Sequence, residues 1–366
     1  MRHRFHSLCP YFAMFPESFA ERWITHCSRP GDVVLDPFSG RGTAAFQALL
    51  MDRNAIANDA NPVAFVLSGA KIDSPTLGSI TRRMSEIEKR FSSSIFQGDE
   101  SELPPFFSRA FHKDTLTQLI FIRQILDWKS SRVDRFIAAL VLGSLHGEMD
   151  KSKAYFSNQM PRTISTKPNY SIRFWDKHDL WPQPRDVFRI IRDRAAFRFE
   201  SPRPNIRGVA YLADVRGLPF KVPHAHGSVN LVITSPPYMD VTNFEEDQWL
   251  RLWFLGGPPR PTTGLHSTDD RHERPDKYWA FLCDAWRAIR PLLCDRSTLV
   301  CRIGGRNVSA NQIQEALCAS MQFLARRATL VEREVSYLSK RRQTDAFRPG
   351  TVGVRFESDF HFKLQQ

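Results

Sequence analysis

Three groups of residues could do chemistry, and each stands where an apolar run stops. In "VITSPPYMD" (232–240) Thr234, Ser235, Pro236, Pro237 and Tyr238 place two hydroxyls, two ring-stiffened peptide bonds and an aromatic ring at the end of a short strand-like run. In "LDPFSGRGT" (35–43) Asp36, Pro37, Phe38, Gly40, Gly42 and Thr43 form an acidic strand end, a tight turn and a helix start. Asp59, with Asn61 two residues later, and Asp214 end two further apolar runs. Each aspartate alone reads as an ordinary strand end or helix cap. Three at successive strand tips read as parts of one site.

The glycine turn narrows the ligand. Glycine tolerates positive φ and lets a ligand approach the backbone closely, and the carboxyl end of a first parallel strand is where an α/β sheet takes a nucleotide-like molecule. A dinucleotide prefers G-x-G-x-x-G, its pyrophosphate resting on the helix N-terminus. Here the turn reads G-R-G-T-A-A behind Asp36. A carboxylate there repels a pyrophosphate but accepts from the amino group of a methionine moiety, which favours S-adenosylmethionine over NAD. Asp59 is placed to accept from both ribose hydroxyls, and Asp214 from an adenine amino group.

The elements that must position these residues are legible in outline. "GDVVLDPFSGRGTAAFQALLMDRNAIANDANPVAF" reads as strand, glycine turn, helix, strand, the opening of a βαβ unit and hence of a parallel sheet. Strand-like runs resume at 208–214 and 229–235. A helix is expected at 244–255 and another at 277–293, then a strand at 297–304, a helix near 311–325, and strands around 330–338 and 359–364. This is an α/β, Rossmann-like, seven-stranded pattern. Between the second and third strands, helical spacing at 114–128 and 132–147 marks a long insertion. The expected division is a catalytic domain from 1–73 and 206–366, and a mainly helical insertion, 74–205, as a candidate DNA-recognition region.

Composition excludes several classes. The 366 residues are 42% hydrophobic with 28 Phe, enough for a large core. No uncharged apolar run reaches eighteen residues, and "MRHRFHSLCPYF" is unlike a signal peptide, so a soluble, membrane-free, cytoplasmic protein is expected. Six scattered cysteines form no CxxC pair, and the histidines show no ligand spacing, so no metal is expected. The net charge of +12 favours a polyanionic partner, and residues 151–207 concentrate it, with 13 Lys/Arg against 5 Asp/Glu.

Together, "DPFSGRG" and "TSPPY" resemble the signatures of amino-methylating DNA methyltransferases. The Ser at the first motif position is closer to the N4-cytosine branch than to the N6-adenine branch, which usually carries Asp or Asn. "PYFAMFPESFAERWI" (10–24) resembles the segment these enzymes place over the methionine end of the cofactor, which brings in Tyr11, Phe15 and Pro16. The resemblance covers 10–70, 208–255 and, more loosely, 277–364. It implies a seven-stranded methyltransferase fold, S-adenosylmethionine as methyl donor, double-stranded DNA as partner, and a bacterial or archaeal cytoplasm. A restriction-modification system, with a cognate endonuclease acting separately, or an orphan methylase is the implied setting.

An exocyclic base amine is a poor nucleophile because its lone pair is delocalised into the ring. Hydrogen bonds to the Ser235 hydroxyl and the Pro236 carbonyl would localise that pair, the prolines fixing the carbonyl. Tyr238 would stack on the extruded base. No cysteine follows a proline, as the covalent C5-methylating mechanism requires. Arg162, Lys167, Tyr170, Arg173 and Trp175 are the first candidates for duplex contact, with Lys340, Arg341 and Arg342 further ones. N6-adenine methylation, RNA base methylation and a catalytically silent DNA-binding module are the alternatives.

Overall fold

Val33, Val34 and Leu35 run without a polar break into Asp36 and form β1 (Val33–Asp36), the middle of a seven-stranded sheet. The computed structural model describes residues 2–11, 15–94, 102–148, 154–160, 167–239, 244–263, 274–305, 308–337 and 356–366. It divides into two units.

The sheet unit holds Tyr11–Asp73, Pro204–Thr242 and His266–Gln366. Its strands are β1, β2 (Asn54–Asp59), β3 (Val209–Leu212), β4 (Val229–Thr234), β5 (Leu293–Gly305), β6 (Arg327–Tyr337) and β7 (Phe356–Gln365), in the order β3-β2-β1-β4-β5-β7-β6. The first five are parallel, with Leu35 opposite Ile56 on one side and Val232 on the other. β7 enters antiparallel between β5 and β6. The Rossmann-like, seven-stranded expectation is met. From β1 the chain builds one way to β2 and β3 and then returns to build β4 and β5 the other way. The crevice of such a sheet opens at that reversal, beyond the carboxyl ends of β1 and β4.

Two short helices follow from simple rules. Gly42 starts the helix Thr43–Leu50, of which only Leu50 escapes full burial. Asn61 caps Pro62–Ile72 by accepting from the Val63 N–H, with Pro62 at the first helical position, where its missing N–H costs nothing. On the other side of the core, Tyr278, Phe281, Leu282, Ala285, Trp286 and Ile289 line one face of the helix Pro275–Ile289. They join Leu299, Phe360 and Phe362 from the sheet in a single apolar cluster.

The helical unit holds Met1–Pro10, Ser74–Arg203 and Asn243–Leu265. Its helices include Leu77–Ser93, Lys113–Ile125, Arg132–Leu142, Pro168–Lys177 and Val187–Phe199. Ser74–Arg203 makes up most of this unit, and two more segments fold with it. Phe5 is buried against Phe136 and Phe199, with ring centroids 5.5 and 5.2 Å away. Trp249 packs edge-on against Phe106 at 4.9 Å. These aromatic contacts bring 1–10 and 243–265 into the helical unit. The single helix expected at 244–255 is two, Phe244–Asp247 and Trp249–Phe254, because the backbone of Gln248 leaves helical geometry between them.

Candidate active site

Asp36 ends β1 completely buried, and its Oδ1 accepts from the Thr234 hydroxyl at 2.7 Å and from the Phe38 N–H at 3.3 Å. The first of these bonds crosses the reversal point and ties the end of β1 to the end of β4. Burial pushes the Asp36 carboxyl up to about 7, against the two hydrogen bonds and with a smaller push from Asp59. At the tip of β2, Asp59 accepts from the Gly40 N–H at 2.8 Å and the Asn61 N–H at 2.9 Å. It too is pushed up by burial, to about 6, with the backbone bonds working the other way.

The turn between these carboxylates needs its glycines. Gly40 and Gly42 have φ of 50° and 72°, and a Cβ on Gly42 would stand 2.7 Å from the Ser68 Cα. On Gly40 a Cβ would meet only the Tyr11 ring, at 3.5 Å. Tyr11 in turn accepts at its hydroxyl from Asn61 Nδ2 at 3.2 Å. Phe15 instead packs against Phe19 and Pro16 precedes the helix Glu17–Cys27, while Pro37 is buried and Phe38 lies against Phe281. Asp214 lies at the tip of β3, bound by Arg216 through bonds of 2.7 and 2.9 Å.

The sequence motif follows β4 directly. Ser235 and Tyr238 are half-buried, Pro236 is buried and Pro237 is exposed. The Ser235 hydroxyl donates to the Tyr238 hydroxyl at 3.4 Å, and that donates to Glu357 Oε1 at 3.3 Å. Burial and the Glu357 carboxylate both push the Tyr238 phenol up from its ordinary value, so it stays protonated.

Two groups of residues were missed by the sequence reading. Arg41 is buried in the glycine turn, donating to Thr43 and to Glu17 at 3.1 Å each, while its carbonyl accepts from Lys71 Nζ. Glu357, Arg302 and Asp359 form a second buried set, with Arg302 gripping Asp359 through bonds of 2.6 and 2.7 Å. The sequence reading expected a strand around 359–364 and gave these residues no role.

These acceptors fit S-adenosylmethionine. Asp36 and Asp59 are two buried carboxylates whose raised affinity for protons would be relieved by a cationic amino group and by hydroxyl donors. Asp59 accepts from the backbone N–H groups of Gly40, Ala60 and Asn61, which leaves about one of its four lone-pair sites for a ribose hydroxyl. In the same turn the Ser39 hydroxyl is buried without a hydrogen-bond partner among the described residues. Among those residues no group of three or more His, Cys, Asp and Glu could hold a metal.

The duplex-contact candidates separate. Lys167, Tyr170 and Arg173 are exposed on or beside the helix Pro168–Lys177, Tyr170 by 53%. Trp175 is not a contact residue as expected: it is 0% exposed, tilted against Phe106, with its indole N–H donated to the Gln159 carbonyl at 3.0 Å. Full burial against the Phe106 ring makes it a core residue. Trp181, passed over in the sequence, is 61% exposed beneath the Arg109 guanidinium at 3.8 Å. Arg162, Lys340, Arg341 and Arg342 lie outside the described residues. No described helix is long and apolar enough to cross a membrane.

Comparison with known proteins adds an independent line. Residues 3–67 match the model of a family described as DNA methylase. The Type II methyltransferase M.HpaI of Haemophilus parainfluenzae is 33% identical over 90 residues, 24% of this chain and 29% of its own length. The Type II methyltransferase M.MjaII of Methanocaldococcus jannaschii is 30% identical over 98 residues, 26% of this chain and 18% of its own. Each match thus spans less than a third of the relative. The rRNA methyltransferase aviRa from Streptomyces viridochromogenes superposes over 99% of this chain and 94% of its own, with a TM-score of 0.35 and 11% identity, too loose a likeness to bear on the argument. Residues 3–67 are thus similar to a DNA methylase family model. The family match ends at residue 67 and so does not extend to Ser235–Tyr238.

Proposed function

We propose that this chain transfers the methyl group of S-adenosylmethionine to the exocyclic N4 amine of cytosine in duplex DNA. The observation that carries this reading is the Thr234–Asp36 bond: it sets the residue before Ser235 against the acidic end of β1, at the sheet's reversal point. A base-holding motif and a cofactor-holding turn thus share one edge of one sheet.

When bound, the cofactor supplies a methyl carbon made electrophilic by its sulfonium. The residues of this chain do the rest. Asp36 and Asp59 hold the donor, the first by accepting from its amino group and the second from its ribose. Asp214 would accept from the adenine while remaining paired to Arg216. The Ser235 hydroxyl and the Pro236 carbonyl accept from the two N–H bonds of the target amine, which localises its lone pair. The Tyr238 ring stacks on the extruded base. Holding both reactants in line removes the orientational part of the barrier. Lys167, Tyr170 and Arg173 contact the phosphate backbone. The setting is a bacterial or archaeal restriction-modification system, its nuclease a separate chain, or an orphan methylase.

The test is to incubate the protein with labelled S-adenosylmethionine and unmethylated bacterial DNA, digest to nucleosides, and identify the product by mass spectrometry. N4-methylcytosine is the expected result. N6-methyladenine would overturn the base assignment and keep the site; label transferred only to RNA, or to nothing, would overturn the reading.

A further inference from the structure

Serine at the first motif position poses a problem of direction. An ionised aspartate there presents oxygens that can only accept, whereas a serine hydroxyl can accept or donate with equal ease. To draw on the target amine it must accept. A hydroxyl whose proton points toward the base would meet the amine N–H with a proton of its own.

We infer that Glu357 is a positioning residue: acting through the Tyr238 hydroxyl, it fixes the Ser235 hydroxyl as an acceptor toward the target amine. The inference rests on the methyl-transfer reading given above.

The directions follow from the end of the chain of bonds inward. The Glu357 carboxylate accepts only, so the Tyr238 hydroxyl donates to it, at 3.3 Å. With its single proton committed, the Tyr238 oxygen can only accept, so Ser235 donates to it, at 3.4 Å. Both lone pairs of Ser235 are then left for the amine. The two bonds are long, as catalytic hydrogen bonds often are before substrate arrives.

Glu357 is itself paired with a guanidinium. Arg302 Nη1 lies 3.5 Å from Glu357 Oε2, while the same guanidinium grips Asp359 and rests 4.0 Å over the Phe19 ring. Glu357 is 7% exposed and lies opposite Gly304 in the β5–β7 ladder, with Arg302 opposite Asp359. An ion pair buried this deeply does little for stability compared with apolar residues of the same size. A role in orienting the site gives it a reason to be there.

The test is a double-mutant cycle of Tyr238→Phe and Glu357→Ala, read as single-turnover methyl transfer to bacterial DNA at saturating S-adenosylmethionine, with cofactor affinity measured by calorimetry. Each single variant should slow transfer about tenfold, the double variant no more than either, and cofactor Kd should stay within about twofold. Glu357→Gln, which keeps an acceptor oxygen, should recover most of the rate. If Glu357→Ala does not fold, Ser235→Ala with Tyr238→Phe closes the same cycle, and Tyr238→Phe should then cost nothing further. Losses that multiply, to about a hundredfold in the double variant, overturn the inference and leave the methyl-transfer reading standing. So does a loss of cofactor affinity equal to the loss of rate. A wild-type chain that methylates no DNA overturns the reading and the inference together.

Discussion

Asp36→Asn isolates the electrostatic cost stored at the tip of β1. The Asp36 carboxyl sits at about 7 against an ordinary value of 3.8. A folded state that raises a carboxyl in this way binds a proton the unfolded chain has already released. Between those two values stability therefore falls as pH rises, and above about pH 7 the full cost is present. Three pH units at 1.36 kcal/mol each give a ceiling of about 4 kcal/mol, and relaxation around the ion lowers it to about 1–3 kcal/mol. Asparagine keeps the oxygen that accepts from Thr234 and Phe38 but cannot ionise. Urea unfolding of the cofactor-free protein should show the variant more stable than wild type by that amount at pH 8, and nearly equal to it at pH 3.5, below the ordinary carboxyl value. Asp59, which rises to about 6, is present in both proteins and leaves a shared residual slope. Cofactor binding should reverse the preference: affinity of the wild type improves between pH 6 and pH 8 as Asp36 ionises toward the amino group, and the variant's stays weak and flat. A variant destabilised equally at both pH values would refute the argument, for it would mean that Asp36 contributes its hydrogen bonds and no buried charge.

Three further perturbations separate roles that the sequence alone runs together. Gly42→Ala should lose about 2–4 kcal/mol in urea unfolding, from left-handed backbone strain plus a Cβ driven against Ser68, whereas Gly40→Ala should lose only about 1 kcal/mol because Tyr11 stands at ordinary contact distance. By calorimetry, Tyr238→Ala should leave cofactor affinity nearly intact while methyl transfer falls, and Asp59→Ala should do the reverse; equal loss of cofactor binding in both would undo these assignments. Lys167→Ala with Arg173→Ala should flatten the salt dependence of DNA binding by about one phosphate contact each, while Trp175→Ala should cost about 3–5 kcal/mol of stability and leave that slope alone.

What the sequence disclosed, and what it hid, follows from how far each interaction reaches along the chain. β1, its glycine turn and β2 were legible because apolar runs, positive-φ glycines and a helix cap are all local. The insertion was legible as an interruption of that alternation. Its true membership was not, since nothing near Phe5 or Trp249 announces that Phe136, Phe199 and Phe106 await them. Trp175 shows the same limit from the other side. In a run of Lys, Arg and Tyr it reads as one more binding residue, and only the Phe106 ring and the Gln159 carbonyl make it core.

β7 forms where a strand was expected, around 359–364, but what covers its polar face was not legible. "FESDFHFK" alternates as a strand with one apolar and one solvated face would. Yet Glu357, Asp359 and His361 are 7%, 5% and 3% exposed. The helix Glu17–Cys27 accounts for part of this: Trp23 meets the His361 ring at 5.2 Å, and Phe19 lies against Arg302. Those partners stand more than 280 residues earlier in the chain than the residues they cover. A period of two records which side chains share a face; it carries no record of what covers that face. Polar residues placed on the covered face must then be satisfied by one another, which is how Arg302 comes to hold Asp359 and Glu357. The second of those side chains faces the Tyr238 hydroxyl. The same burial that concealed these residues in the sequence is what keeps that carboxylate out of bulk water and aimed at the motif.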